Sequence, residues 1–157
     1  MPETGDTITP QLVAALEALP SGTFVMTSAF EDKRAGVRVH AVMPCATDPL
    51  LIAVSIRKGH WIEPMIRDAH TFALCQLDPT DKLTLAKFDE CHTSENDSDA
   101  FEALRIDTLR PGGPPVPRRS PLAIDCEVVR QFDLEAAHEL YIGQVLAARV
   151  MPDSPEV

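Results

Sequence analysis

Basic side chains that could bind an anion are concentrated at residues 57–60, which read Arg57, Lys58, Gly59 and His60. They follow a hydrophobic segment and precede a short predicted helix at 63–68. A helix N-terminus carries N–H groups without intrahelical partners and a partial positive charge, so a phosphate is favoured there. Gly59 would let the backbone approach such a ligand closely. A solvated basic turn explains the same spacing, and the sequence leaves both interpretations open.

A second group of possible anion ligands precedes this one in the chain. Arg38 and His40 alternate with Val37 and Val39, so they share one face of a predicted strand, and Arg34 lies close by. Facing a ligand or a partner subunit, they would donate charge-assisted hydrogen bonds to phosphate oxygens. Facing water, they are ordinary residues of an outer sheet surface.

His138 is the third candidate, at the predicted turn before the last strand. A histidine there can contact a phosphate or an amide of a ligand, or it can be a plain surface residue. Cys45, beside Pro44, has two interpretations as well: a reactive thiol or a buried free cysteine.

Several familiar chemistries lack their motifs in this chain. It contains no GxGxxG turn, GxxxxGK[ST] loop, GxSxG elbow or HExxH pair. Cys91 and His92 resemble a metal-ligand pair, but no second pair follows at zinc-finger spacing, so we expect no metal site.

Composition narrows the class of protein further. The chain has 157 residues, so we expect one domain spanning 1–157. The net charge of −10 argues against nucleic acid and anionic membranes as partners. No apolar run is long enough to span a bilayer. The four cysteines form no CxxC pair and the chain opens without a secretory pattern, which predicts reduced thiols and a cytoplasmic location.

The elements that must position these residues are mostly strands. The pattern predicts about seven of them and three short helices, the first helix at about 10–19 with Pro10 as its first residue. Residues 31–36 have turn composition, and the Pro/Gly-rich stretch at about 110–121 is expected to be a long loop within the domain. Many short antiparallel strands in a small domain indicate a closed barrel. The predicted strands are 23–30, 37–44, 50–56, 70–77, 105–109, 122–134 and 139–150. The predicted helices are 10–19, 63–68 and 81–90.

The order of several loose motifs resembles the flavin reductase family with the FMN-binding split-barrel fold. The resemblance covers roughly residues 19–150, and its most persuasive part is the last motif, from histidine through glycine to valine. In chain order the motifs are SGTFVMT at 21–27, Gly36 leading to a turn at 48–50, FALCQL at 72–77, LAKF at 85–88, IDCEV at 124–128 and AAHELYIGQV at 136–145.

The resemblance implies a mainly β fold, an antiparallel Greek-key split barrel, that forms a homodimer with FMN at the subunit interface. Residues 37–46 would line the ribityl chain and the flavin ring, residues 57–61 would face the phosphate, and His138 would lie near the nicotinamide. The implied cofactor ligands are Arg38, His40, Met43, Pro44, Cys45, Ala46, Arg57, Lys58, Gly59, His60 and Trp61, with His138 as the catalytic residue.

The chain departs from the family pattern where the phosphate is held. Arg38 and His40 replace the Thr and Ser hydroxyls of many members, and Pro44 and Ala46 replace serines before the turn. Cations and backbone amides would then hold FMN in place of hydroxyls, or FMN would bind weakly or not at all.

The activity implied by the resemblance is hydride transfer from NAD(P)H to flavin, in which the flavin does the redox chemistry and the protein supplies placement. The reduced flavin could serve a partner monooxygenase. Two other functions stay open: an FMN-binding electron carrier or sensor that does not react with NAD(P)H, and a split-barrel domain that has lost its cofactor.

Overall fold

The computed structural model describes residues 10–20, 22–39, 41–89 and 100–151. Its largest element is a seven-stranded antiparallel sheet with the spatial order β2-β1-β5-β8-β9-β4-β3. The strands of this sheet are β1 (Phe24–Phe30), β2 (Lys33–Val39), β3 (Ala41–Thr47), β4 (Leu50–Arg57), β5 (Thr71–Gln76), β8 (Leu122–Asp133) and β9 (His138–Val150). The remaining elements are α1 (Pro10–Glu17), α2 (Ile62–Ala69), α3 (Lys82–Ala86) and a two-stranded ribbon of β6 (Ile106–Asp107) and β7 (Val116–Pro117).

The connection between β2 and β3 explains why the sheet curls. These two strands lie at opposite edges of the sheet order, yet β2 ends at Val39 and β3 begins at Ala41. The two edges therefore meet at this corner, while the ladder pairings leave them without a β2·β3 pair. The sheet is curled but not closed, which corrects the closed barrel indicated by the strand count to a barrel with a split between its edges. The prediction of a mainly β antiparallel fold is confirmed.

Apolar side chains from opposite strands fill the interior of the curled sheet. Val37 and Val39 of β2 belong to the same buried cluster as Ile52, Val54 and Ile56 of β4. The period-two alternation of both strands supplies these residues to one face. Helix α2 closes one side by adding its own buried residues, which are Ile62, Met65 and Ile66.

The structure corrects the predicted boundaries around β2. Residues 31–36 are not all turn, because β2 begins at Lys33 and pairs antiparallel with β1 from Phe30↔Lys33 to Phe24↔Val39. The turn is only Glu31 and Asp32, with Glu31 at a positive φ of 58°. The single strand predicted at 37–44 is instead the end of β2 and the beginning of β3, which lie at opposite edges of the sheet. The pattern of apolar residues continues from one strand to the next, so it does not show where the first strand ends.

The Pro/Gly-rich stretch at 110–121 is more ordered than a plain loop. It contains β7, whose Val116 and Pro117 are buried and pair with β6. The predicted strand at 105–109 shrinks to β6, and the helix predicted at 81–90 shrinks to α3. Helix α2 extends one residue beyond each end of its predicted range, and α1 does begin at Pro10. The single domain over 1–157 stays a prediction.

No helix in the described part of the chain combines the length and apolarity needed to cross a membrane.

Candidate functional site

A cavity of about 360 Å³ lies at the corner where β2 and β3 meet. We call it the corner cavity. Its walls come from four strands, and three basic side chains, Arg38, Arg57 and His138, stand in its lining. The other lining residues are Val39, Ala41, Ser55 and Ile56.

Strand register places these basic residues together. In the β4·β9 ladder Arg57 pairs with His138, and in the β3·β4 ladder Ser55 pairs with Ala41. Arg38 arrives from β2, where its backbone N–H donates to the carbonyl of Phe88 at 2.7 Å. The structure thus joins Arg38, Arg57 and His138, which lie in three separate parts of the sequence.

The electrostatics of the corner cavity favour an anion. Among the described residues its lining has two arginines, one histidine and no carboxylate. The Nε of Arg38 is buried and has no hydrogen-bond partner in the part of the chain that the structure describes. A buried donor without an acceptor costs free energy, and an anionic ligand would remove that cost.

The side chain of Lys58 already has an ion-pair partner within the chain. Its Nζ forms an ion pair with Asp133, and its backbone N–H donates to the carbonyl of Ala137 at 2.9 Å. The Lys58 ammonium lowers the pKa of Asp133, with help from the backbone N–H of Glu135. Lys58 therefore joins β4 to the turn before β9, and it is absent from the lining of the corner cavity.

Three N–H groups at the start of α2 already have acceptors within the chain. The Gly59 N–H donates to the Glu63 carboxylate, and the Ile62 N–H donates to Nδ1 of His60 at 3.0 Å. The Glu63 N–H donates to the carbonyl of His60 at 3.1 Å. These three donors are therefore occupied by protein acceptors, and a phosphate at this helix end stays a prediction. Gly59 has a φ of 94°, a conformation that favours glycine.

His60 and Trp61 are not among the residues that line the corner cavity. His60 is buried, with 3% of its surface exposed. Trp61 packs against the barrel core and lines a separate cavity of about 280 Å³ with Phe30 and Lys33. His40 lies outside the described residues. The cofactor roles assigned to these three residues stay predictions.

The remaining predicted ligands lie along the edge strand β3. Met43 and Cys45 are exposed, and Pro44 and Ala46 flank a bulge in the pairing with β4. Pro44 is tolerated because β3 has no neighbour on its other side. These four residues do not line the corner cavity of one chain, so their contacts with flavin stay a prediction.

Ser55 was missed by sequence reasoning. It lines the corner cavity two residues before Arg57, and the period of a strand puts both side chains on one face of β4. A single hydroxyl in the apolar segment LLIAVSI was the available signal.

Glu139, the residue that follows His138, is buried and hydrogen-bonded to neighbouring side chains. Glu139 accepts hydrogen bonds from the Tyr141 hydroxyl at 3.0 Å and from Gln131 Nε2 at 3.2 Å. Burial, and then a hydrogen bond with Glu139, raise the pKa of Glu63 on α2. Burial also raises the pKa of Tyr141. The network fixes the beginning of β9, where His138 is the first residue.

The chain thus has a curled antiparallel sheet with a cation-lined cavity at the corner between its edges. Residues 16–156 match the family model described as flavin reductase like domain. The chain belongs to this family, and the family predicted from the motif order is confirmed.

Particular relatives agree with that class. The chain is 23% identical over 143 residues to a ferric-chelate reductase (NAD(P)H) of Archaeoglobus fulgidus, covering 90% of this chain and 83% of that protein. The NADH:FAD oxidoreductase of Streptomyces globisporus superposes with a TM-score of 0.79 at 18% identity, covering 96% and 90% of the two chains. The styrene monooxygenase flavin reductase of Pseudomonas putida gives 0.72 at 21% identity, covering 90% and 86%. These structural matches confirm the predicted split-barrel fold.

Proposed function

We propose that the protein is an NAD(P)H-dependent flavin reductase that holds the phosphate of FMN in the corner cavity. Membership of the flavin reductase-like family supports the reaction class. The observation that carries the phosphate assignment is the buried Nε of Arg38, which has no partner among the described residues. A guanidinium is suited to a phosphate because its donors form a planar fork.

In this proposal each residue of the corner cavity has a defined task. Arg38 and Arg57 bind the phosphate and thereby fix the position of the flavin, and the Ser55 hydroxyl adds a hydrogen bond. His138 contacts the nicotinamide and orients it. Bound flavin supplies the acceptor for the hydride, so the protein's contribution is to bring the two rings close together and exclude other arrangements.

The first experiment separates this function from the two alternatives. We expect purified protein to bind FMN and to oxidise NAD(P)H only when flavin is added. Flavin binding without NAD(P)H oxidation would instead support an electron carrier or sensor. Absence of flavin binding would support a domain without cofactor. FMN and FAD should be titrated in parallel, because one structural relative is named for FAD.

A matched pair of variants tests the phosphate assignment. Arg57→Gln removes a cation from the corner cavity, whereas Lys58→Gln removes a cation that already has a partner in Asp133. Loss of one charge-assisted hydrogen bond costs about 1.5–3 kcal/mol, so we expect Arg57→Gln to weaken FMN binding by roughly 10- to 150-fold. Lys58→Gln should change it less. Equal Kd values for Arg57→Gln and the unmodified protein would refute the assignment.

The role of His138 is tested by kinetics. We expect His138→Gln to lower kcat/KM for NAD(P)H while the Kd for FMN stays close to that of the unmodified protein. Stopped-flow reduction under anaerobic conditions measures the hydride-transfer step directly. Unchanged reduction rates would show that His138 has no part in the reaction.

We further propose that the protein acts as a homodimer and supplies reduced flavin to a partner monooxygenase. Edge strand β3 has no further neighbour in the described sheet and carries Met43 at 58% exposure, so its free edge is suited to a second copy. A structural relative is named as a monooxygenase flavin reductase. Light scattering of the full chain gives the oligomeric state, with a monomer at micromolar concentration as the contradicting result.

A cytoplasmic location is also part of the proposal. Cys45, Cys75 and Cys126 are free thiols in the described part of the chain. Thiols stay reduced in that compartment. Fractionation of the source cells with an antibody against the chain would test the location.

A further inference from the structure

A second cavity, of about 450 Å³, lies where the β6–β7 ribbon begins and ends. We call it the outer arginine pocket. It shares no lining residue with the corner cavity. Its size is within the range of pockets that bind small molecules. Its lining residues are Ala103, Leu104, Arg105, Pro117, Arg118 and Arg119.

The backbone forces two of these arginines to be neighbours. The Arg118 N–H donates to the carbonyl of Arg105 at 2.8 Å, which extends the β6·β7 ladder one step beyond Ile106↔Pro117. Directly opposed residues in an antiparallel pair have Cβ atoms about 5 Å apart, and like charges at that spacing repel. The ribbon therefore places two cationic side chains directly opposite each other.

Of the three arginines that line the outer arginine pocket, only Arg118 has a carboxylate partner among the described residues. Arg118 pairs with Asp107 at 3.1 Å. In the described ranges no hydrogen bond or ion pair is made by the side chain of Arg105 or of Arg119, and both residues are exposed. The chain as a whole has a net charge of −10. A cluster of arginines with unused donors in such an acidic protein points to an anionic ligand.

The backbone that carries the arginines is anchored from behind. Arg149 Nη2, on β9, donates to the carbonyls of Pro117 at 3.2 Å and Ser120 at 3.0 Å. Arg149 also forms an ion pair with Asp107 at 3.5 Å. The Ser120 hydroxyl donates to the carbonyl of Gln76 at 2.6 Å. These bonds preorganise residues 117–120, so a ligand would not have to order this segment.

We propose that the outer arginine pocket binds a phosphate or pyrophosphate group carried by a small molecule. The guanidinium forks of Arg105 and Arg119 bind the anion, which also screens the repulsion between Arg105 and Arg118. Leu104 and Pro117 supply an apolar surface for the body of the ligand. The same chemistry is offered by a nucleotide and by free pyrophosphate, and binding experiments distinguish these two sources.

The test is a titration of the ¹⁵N-labelled full chain, observed by NMR at constant ionic strength. Sodium pyrophosphate and ADP are the probes. We expect amide shifts at residues 103–105 and at residues 118 and 119, with saturation below about 1 mM, which corresponds to a modest affinity. Tighter binding of ADP than of pyrophosphate identifies a nucleotide, and equal affinities identify the phosphate group alone. Both results support the proposal.

Variants decide whether the arginines are responsible. The double variant Arg105→Gln/Arg119→Gln should weaken binding at least tenfold, and the control Arg130→Gln, on β8, should not. Thermal melting verifies the fold, and Arg119→Gln alone serves if the double variant melts early. No shifts at these amides up to 10 mM probe, or equal affinity in the double variant, would overturn the proposal. Stronger binding of a poly-glutamate peptide than of pyrophosphate would overturn it in favour of a protein partner.

Discussion

Replacing Arg110 by methionine would leave a buried carboxylate without its partner. Arg110 donates to Asp125 through Nε at 2.8 Å and Nη2 at 3.0 Å, and only 1% of the Asp125 side chain is exposed. The turn at 110–113 makes this possible, since Gly112 has a φ of 74° and a Cβ on Gly113 would lie 2.8 Å from Asp125 Oδ2. The pair therefore joins the Pro/Gly-rich segment to β8.

The size of the effect follows from the burial of the two partners. Removing one partner of a fully buried pair costs about 3–5 kcal/mol. The Arg110 side chain is 30% exposed, so solvent screens part of the interaction, and we expect a loss of about 2–3 kcal/mol in the free energy of unfolding. With an m-value of about 2 kcal/mol/M in urea, the midpoint should fall by roughly 1–1.5 M.

The pH dependence has a defined sign. Burial raises the pKa of Asp125, and Arg110 opposes that shift. Without Arg110 the pKa rises further, so the folded chain takes up a proton at a higher pH than the unfolded chain. The stability deficit of Arg110→Met should therefore be full at neutral pH and shrink as the pH falls toward about 4, the ordinary range of Asp.

Two further variants make the experiment decisive. Arg118→Met breaks an exposed pair with Asp107 and should cost under about 1 kcal/mol. Arg110→Met/Asp125→Asn removes the unpaired charge and should be more stable than Arg110→Met at neutral pH. Equal midpoints for Arg110→Met and Arg118→Met, or a deficit independent of pH, would refute the reasoning.

Three shorter predictions concern packing, thiols and the ion pair beside the corner cavity. Gly143→Ala should lower Tm, because its Cβ would lie 2.6 Å from Phe72 Cζ, and we expect a loss of about 1–3 kcal/mol in thermal unfolding. Cys45→Ser should remove one equivalent of fast reaction with a thiol reagent, while Cys75 and Cys126, whose pKa burial raises to about 12, react only after unfolding. Lys58→Ala should return the pKa of Asp133 toward its ordinary value in a carboxyl NMR titration, so an unchanged titration would contradict the ion pair.

Local patterns predicted most of the strands and the family. Alternation of Val37 and Val39 with polar residues predicted a strand with one buried face, and both valines are in the core. The long final strands were found for the same reason. Boundaries were less accurate where a ladder partner decides the outcome: Lys33 is in β2 because it pairs with Phe30, and its own side chain gives no sign of this.

The composition of the corner cavity could only be decided by tertiary structure. Sequence reasoning proposed Arg38, Arg57 and His138 for separate reasons, and the β4·β9 register and the curl of the sheet bring them to one place. The same reasoning treated Lys58 as equivalent to Arg57, whereas Lys58 pairs with Asp133, 75 residues away in sequence.

The sequence by itself determined the types and order of the elements and the presence of basic residues in an acidic chain. These properties depend on interactions between residues that are near each other in the chain. Tertiary structure decided which cations share a cavity and which have an internal partner, and it placed Arg105 opposite Arg118. The physical reason is that strand register and sheet curvature depend on the packing of distant segments, which no local spacing encodes.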